Sequence, residues 1–100
     1  QFSKMQKHAV FVNIARGSVV NEQALIEALQ NQQIFAAGLD VYEKEPLQES
    51  ALFQLDNVVT LPHVGSATAE TRLKMAELAY QNLVDALENR TPRYLVNENF

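Results

Sequence analysis

Three short apolar runs, each followed at once by a polar segment, constrain the fold of this chain more than any other feature. The first, Ala9-Val-Phe-Val-Asn-Ile14, is rich in β-branched and aromatic residues and is bounded by Lys7-His8 and Arg16-Gly17, so it reads as a buried strand. From Asn21 the pattern changes to a helical period. Ala24, Leu25, Ala28 and Leu29 form one stripe, Asn21 is placed to cap it, and Glu22 sits in the first turn where the helix dipole favours negative charge. This helix stops near Asn31-Gln32, because Ile34-Phe-Ala-Ala-Gly-Leu39 begins a second strand-like run. The third run, Val58-Val-Thr-Leu61, follows a polar loop holding Pro46 and Asp56-Asn57. Thr68 to Asn89 is the longest periodic segment: Leu73, Ala76, Tyr80, Leu83, Val84 and Leu87 keep the i+3/i+4 spacing, with Thr68 as cap and Glu70 in the first turn.

Strand, helix, strand, loop, strand, helix implies crossover connections and hence a parallel sheet in an α/β fold. Three strands are too few for a parallel sheet covered on both faces, and the final helix is longer than so small a sheet needs. The expectation is therefore the carboxy-terminal half of a Rossmann-like doubly wound domain over residues 1–90. The long helix would link back to a missing substrate domain, and residues 91–100 would begin that return. That the chain opens on Gln1 rather than Met fits the same expectation of a piece of something longer.

Composition excludes several classes. With 47% apolar and 20% charged residues the chain is neither disordered nor fibrous. It has no apolar run long enough to cross a membrane and no secretory leader, so a cytoplasmic location is expected. A net charge of −4 argues against nucleic acid as a partner. The absence of cysteine, together with two histidines 55 positions apart, argues against a metal site.

In open α/β sheets, ligands bind outside the carboxyl ends of the strands. The residues just after each apolar run are Ala15-Arg16-Gly17, then Asp40 to Pro46, then Pro62-His63-Val64-Gly65-Ser66. An arginine, several carboxylates and a histidine thus converge on one edge. Arginine offers a planar fork matched to a carboxylate, histidine exchanges a proton near neutral pH, and a neighbouring carboxylate orients the imidazole. Each residue also has a plainer alternative: Arg16 as a surface ion pair, Glu43 and Glu45 as solvated loop charges, His63 as a backbone hydrogen-bonding partner. His8 lies at the opposite end of its strand and reads as surface. Gly17, Gly38 and Gly65 do not form a phosphate-cradling GxGxxG turn.

Asn13-Ile-Ala-Arg-Gly-Ser-Val-Val20, Ala36-Ala-Gly-Leu-Asp-Val-Tyr-Glu-Lys-Glu-Pro46 and Leu61-Pro-His-Val-Gly-Ser-Ala-Thr68 resemble, in order and in spacing, the D-isomer-specific 2-hydroxyacid dehydrogenases. Arg16, Glu45 and His63 fall 29 and then 18 positions apart. Within the family, the second and third motifs resemble glyoxylate/hydroxypyruvate reductases and 2-ketogluconate reductases most. The resemblance covers about residues 2–97 of a family chain some three times longer.

The resemblance implies an NAD(P)H-dependent reductase of small 2-keto acids. Arg16 would hold the substrate carboxylate and keto oxygen, His63 would donate the proton, and Glu45 would pair with His63. Asp40 would bind the nicotinamide carboxamide, Ile14 and Ala15 would border the ring, and Gly65 and Ser66 would close on the cofactor. Glu45 sets the chain apart from formate dehydrogenases of the same superfamily, which carry Gln at that place. The rival from another class is a non-catalytic corepressor-like protein that keeps the dinucleotide fold as a binding platform. The expected partners are a small keto acid and a second copy of the chain. A homodimer is expected because the strand Ala9–Ile14 and the stripe Leu73–Leu87 need cover, and the long helix is suited to exchange between copies.

Overall fold

The computed structural model describes residues 1–97. It divides into two compact units, residues 1–65 and a second from Ser66 onward.

The first unit holds strands β1 (Val10–Asn13), β2 (Ala36–Leu39) and β3 (Val58–Thr60) and helix α1 (Glu22–Gln30). The strands are all parallel, in the spatial order β1-β2-β3, with Val10 opposite Ala36, Ala37 opposite Val58 and Leu39 opposite Thr60. Ladder bonds run one residue past the strands, from the Phe35 N–H to the Ala9 carbonyl and from the Leu61 N–H to the Leu39 carbonyl. That accounts for Ala9 and Leu61 in the sequence runs. Asn21 caps α1 as expected, its side chain accepting from the Ala24 N–H at 2.9 Å. The helix ends where Gln32 turns left-handed (φ 52°), with the Gln32 and Gln33 N–H groups closing on the Leu29 and Ala28 carbonyls.

The core lies between α1 and one face of the sheet. Leu25, Ile26, Ala28 and Leu29 pack with Ile34, Ala37 and Leu39, and with Tyr42 and Leu52 from the β2–β3 connection. Leu52 is carried by a 3-10 turn, Ala51–Gln54, inside what the sequence suggests is only a polar loop. The expectation of a buried first strand needs correction. Val10 and Val12 are more than half exposed, as is Ile14 beyond the strand end, and Asn13 is the one buried residue of β1. By strand register Val10, Val12, Gly38 and Val59 share the opposite face, which no element within residues 1–65 covers.

The second unit is helix α2 (Ala69–Leu87) and its flanks. Thr68 caps it through a 3.1 Å bond from the Thr71 N–H, and Glu70 pairs with Lys74 one turn on. The helix is 19 residues rather than the 22 of the periodic segment, because Glu88 caps it and Asn89 adopts the left-handed conformation. Its apolar stripe, including Leu73, Leu83 and Leu87, is exposed. Residues 91–97 carry no helix or strand, and the rest of the tail, residues 98–100, lies outside the described residues. No helix among the described residues is long and apolar enough to cross a membrane.

Candidate active site

All three strands end on the same edge because they are parallel, and the segments leaving them meet there. The loop after β1 is set by Asn13, a polar residue in an otherwise apolar run. Its buried amide accepts from the Ala15 N–H at 3.1 Å and donates to the Arg16 carbonyl at 3.0 Å. The chain then drops into a 3-10 turn at Gly17–Val19. A Cβ on Gly17 would lie 1.9 Å from the Tyr42 carbonyl carbon and oxygen. Glycine is required at this position by the close approach of two backbones, and that approach brings the Arg16 loop against the segment leaving β2.

Tyr42 is the hub of the second segment. It is buried and held out of water, which pushes its phenol above the usual value of 10.0, opposed mainly by the bond to Leu61. Its hydroxyl lies 2.7 Å from the Leu61 carbonyl oxygen and 3.1 Å from that of Leu39. Its N–H donates to Glu45 Oε1 at 3.1 Å. Glu43 turns away to the start of α1, where it and Glu22 accept reciprocally from each other's backbone N–H at 2.9 and 3.1 Å.

Glu45 uses its second oxygen for His63, with Nδ1 and Oε2 2.6 Å apart. The hydrogen bond from His63, then that from the Tyr42 N–H, holds the Glu45 carboxyl below its ordinary value; desolvation opposes this and the charge of Arg16 adds a smaller contribution. Glu45 is therefore ionised at neutral pH and only accepts, so Nδ1 carries the hydrogen and Nε2 is left to gain or lose a proton. No hydrogen bond to Nε2 exists among the described residues, and the imidazole is 45% exposed.

His63 itself sits at φ 55°, in the left-handed region. Few residues other than glycine occupy that region, at a cost of about 1–3 kcal/mol, and where they do the surroundings over-determine them. Asp40, 4% exposed and just past β2, supplies the constraint. Its two carboxylate oxygens accept from the Val64 and Gly65 N–H groups, each at 2.8 Å.

The residues singled out in the sequence thus fall into groups. Glu45 is joined to His63, and Asp40 to the loop at Val64 and Gly65. Arg16 reaches neither by hydrogen bond; its guanidinium folds back on the Ala15 carbonyl at 2.7 Å and makes no other hydrogen bond among the described residues. Ile14 and Ala15 are exposed beyond β1, and Ser66 opens the second unit. Asn13 and Tyr42 were not legible as site residues. For Asn13 the signal was a lone amide inside an apolar run; for Tyr42 there was none. A pocket of about 470 Å³ opens beside the His63–Glu45 pair, walled by Leu47, Phe53, Leu61 and Pro62.

The same strand-end edge suits a nicotinamide. Exposed Ile14 offers an apolar surface, and Arg16 keeps guanidinium donors that bond nothing else among the described residues. Asp40 accepts one backbone N–H on each oxygen and keeps a lone pair on each for a further donor.

Residues 1–65 match the family model described as D-isomer specific 2-hydroxyacid dehydrogenase, NAD binding domain. The matched residues are those of the first compact unit. Over 98 residues, 97% of the chain, it is 58% identical to glyoxylate/hydroxypyruvate reductase B of Klebsiella pneumoniae and 56% identical to the enzyme of that name in Citrobacter koseri. It spans 30% of the length of each. Among solved structures it is similar to an NADPH-dependent glyoxylate/hydroxypyruvate reductase of Sinorhizobium meliloti in complex with NADP and malonate, with a TM-score of 0.82 at 45% identity, covering 86% of this chain and 27% of that one.

Proposed function

Since the chain belongs to the D-isomer specific 2-hydroxyacid dehydrogenases, matching their NAD binding domain, we propose that it supplies the proton-donating side of an NAD(P)H-dependent reductase of small 2-keto acids. Glyoxylate and hydroxypyruvate are the proposed substrates, on the names of the relatives, and 2-ketogluconate is a further candidate on the resemblance of the motifs. Residues 1–90 would be the carboxy-terminal part of the dinucleotide-binding domain, with 91–100 returning toward a substrate domain.

One observation carries this reading: the 2.6 Å bond between Glu45 and His63 Nδ1, which leaves Nε2 to exchange a proton at the carboxyl ends of a parallel sheet. The bound dinucleotide, bordered by Ile14, Ala15 and Gly65, would supply the hydride. His63 Nε2 gives its proton to the keto oxygen while Glu45 stabilises the imidazolium that does so. Arg16, released from the Ala15 carbonyl, grips the substrate carboxylate with two parallel bonds. The reductase names of the relatives favour this over a non-catalytic binding platform.

The test is turnover of glyoxylate and hydroxypyruvate by a full-length protein carrying this segment, with and without His63→Gln. Activity on no 2-keto acid, or full activity in the variant, would sink the reading.

A further inference from the structure

We propose that Asp40 is a positioning residue: it fixes the backbone of His63 by clamping the next two peptide groups along the chain, and so sets where the imidazole proton is delivered. The resemblance assigns Asp40 to the cofactor; the geometry points to the loop.

His63 departs from the end of β3 through a left-handed backbone angle of 55°. An unsupported loop would relax such a residue toward the extended or right-handed wells, swinging the imidazole away from Glu45. Val64 and Gly65 prevent that relaxation. Their N–H groups point to the same side and converge on one carboxylate, one per oxygen, both at 2.8 Å. Successive N–H groups on one anion make a concave nest, and a charge-assisted bond is about twice as strong as a neutral one. The carboxylate is itself buried, 4% exposed just past the central strand, and the Asp40 N–H is bonded to the Asn13 carbonyl at 3.1 Å. Space is closed as well, since a Cβ on Gly65 would stand 3.1 Å from Asp40 Oδ2. The imidazole is thus held from two sides, by Glu45 on its ring and by Asp40 on its backbone.

A carboxylate is needed because only it accepts on both oxygens. In Asp40→Asn one oxygen becomes an amide that presents hydrogens to a backbone N–H, so one of the two bonds must break.

As a contribution to catalysis this rests on His63 being the proton donor proposed above, so one arm of the test reads geometry without turnover. In NMR spectra of the chain as it stands, Asp40→Asn is expected to abolish exchange protection at Val64 or Gly65 and to lose the hydrogen-bonded Nδ1 proton of His63. Gly65→Ala, a milder intrusion on the same carboxylate, should weaken both signals and serves where Asp40→Asn does not fold. Unchanged Val64, Gly65 and His63 signals in folded Asp40→Asn, or in folded Gly65→Ala where the former does not fold, overturn the clamp. In the full-length protein Asp40→Asn should lower kcat by about 10²-fold, with the KM for NAD(P)H unmoved. Combined with His63→Gln it should cost nothing further, since both changes remove the same contribution. A raised cofactor KM with kcat intact would return Asp40 to the cofactor. If His63→Gln alone proves harmless, the proton-donor reading fails while the spectroscopic arm still decides the clamp.

Discussion

The Tyr42 hydroxyl lies 2.7 Å from the carbonyl oxygen of Leu61, joining the segment that leaves β2 to the last residue before Pro62-His63. The same tyrosine presents its N–H to Glu45, so one buried side chain and its own backbone register both members of the His63–Glu45 pair. Tyr42→Phe keeps the packing and deletes the hydroxyl. It should cost about 0.5–1.5 kcal/mol, the usual net worth of such a bond, seen as a lowered urea midpoint with an unchanged slope. Because burial raises the Tyr42 phenol, the stability linked to its neutral form is complete below pH 10.0 and fades as pH rises through the higher folded value. Wild type should therefore lose stability in alkali faster than Tyr42→Phe; parallel losses would refute this.

Gly17→Ala should be far more damaging than a surface change of that size. The added carbon would sit 1.9 Å from the Tyr42 carbonyl group, and backbone does not yield as a flexible side chain does. We expect a loss of at least about 3 kcal/mol or failure to fold, read from thermal unfolding by circular dichroism. A melting temperature within a degree or two of wild type would contradict the close approach.

Arg16 and His63 should separate kinetically in a full-length protein carrying this segment. Arg16→Lys keeps the charge but loses the planar fork, so KM should rise and kcat fall together. His63→Gln should act mainly on kcat, by about 10²–10⁴-fold. Steady-state kinetics with glyoxylate tell them apart, and a His63→Gln effect confined to KM would remove the proton-donor role.

The hydrogen bond from His63 holds the Glu45 carboxyl below its ordinary value of 4.5. The sign is that of a depressed carboxylate: the stabilisation is present above pH 4.5 and is lost as pH falls through the lower folded value. Glu45→Gln removes that titrating group, so the variant should lose less stability than wild type as pH falls below 4.5. Urea midpoints between about pH 3 and 7 decide it, and parallel losses in the two proteins would reduce Glu45 to a loop charge.

Val10, Val12 and Val59 on the uncovered sheet face are each more than half exposed, as are Leu73, Leu83 and Leu87 on α2, and exposed apolar surface favours association. We expect the 100-residue chain by itself to sediment as a dimer or larger; a folded monomer at tens of micromolar (about the range that reveals weak interfaces) would count against it.

By itself the sequence determined what local physics controls. The three apolar runs, the capping of α1 by Asn21 and of α2 by Thr68, and the delivery of Arg16, Asp40, Glu45 and His63 to one edge all follow from periodicity, cap chemistry and the parallel order of strands. Tertiary structure decided what depends on pairs of residues distant in sequence. Glu43 and Glu45 are both loop carboxylates two positions apart, yet one anchors the start of α1 and the other holds His63; only the path of the loop separates them. Leu52 becomes core because a 3-10 turn folds under the sheet. Gly17 is fixed by a backbone 25 residues away. Asp40 looked like a ligand for something outside the chain, but the turn after β3 brings two N–H groups onto it, a meeting that no pattern along the chain encodes.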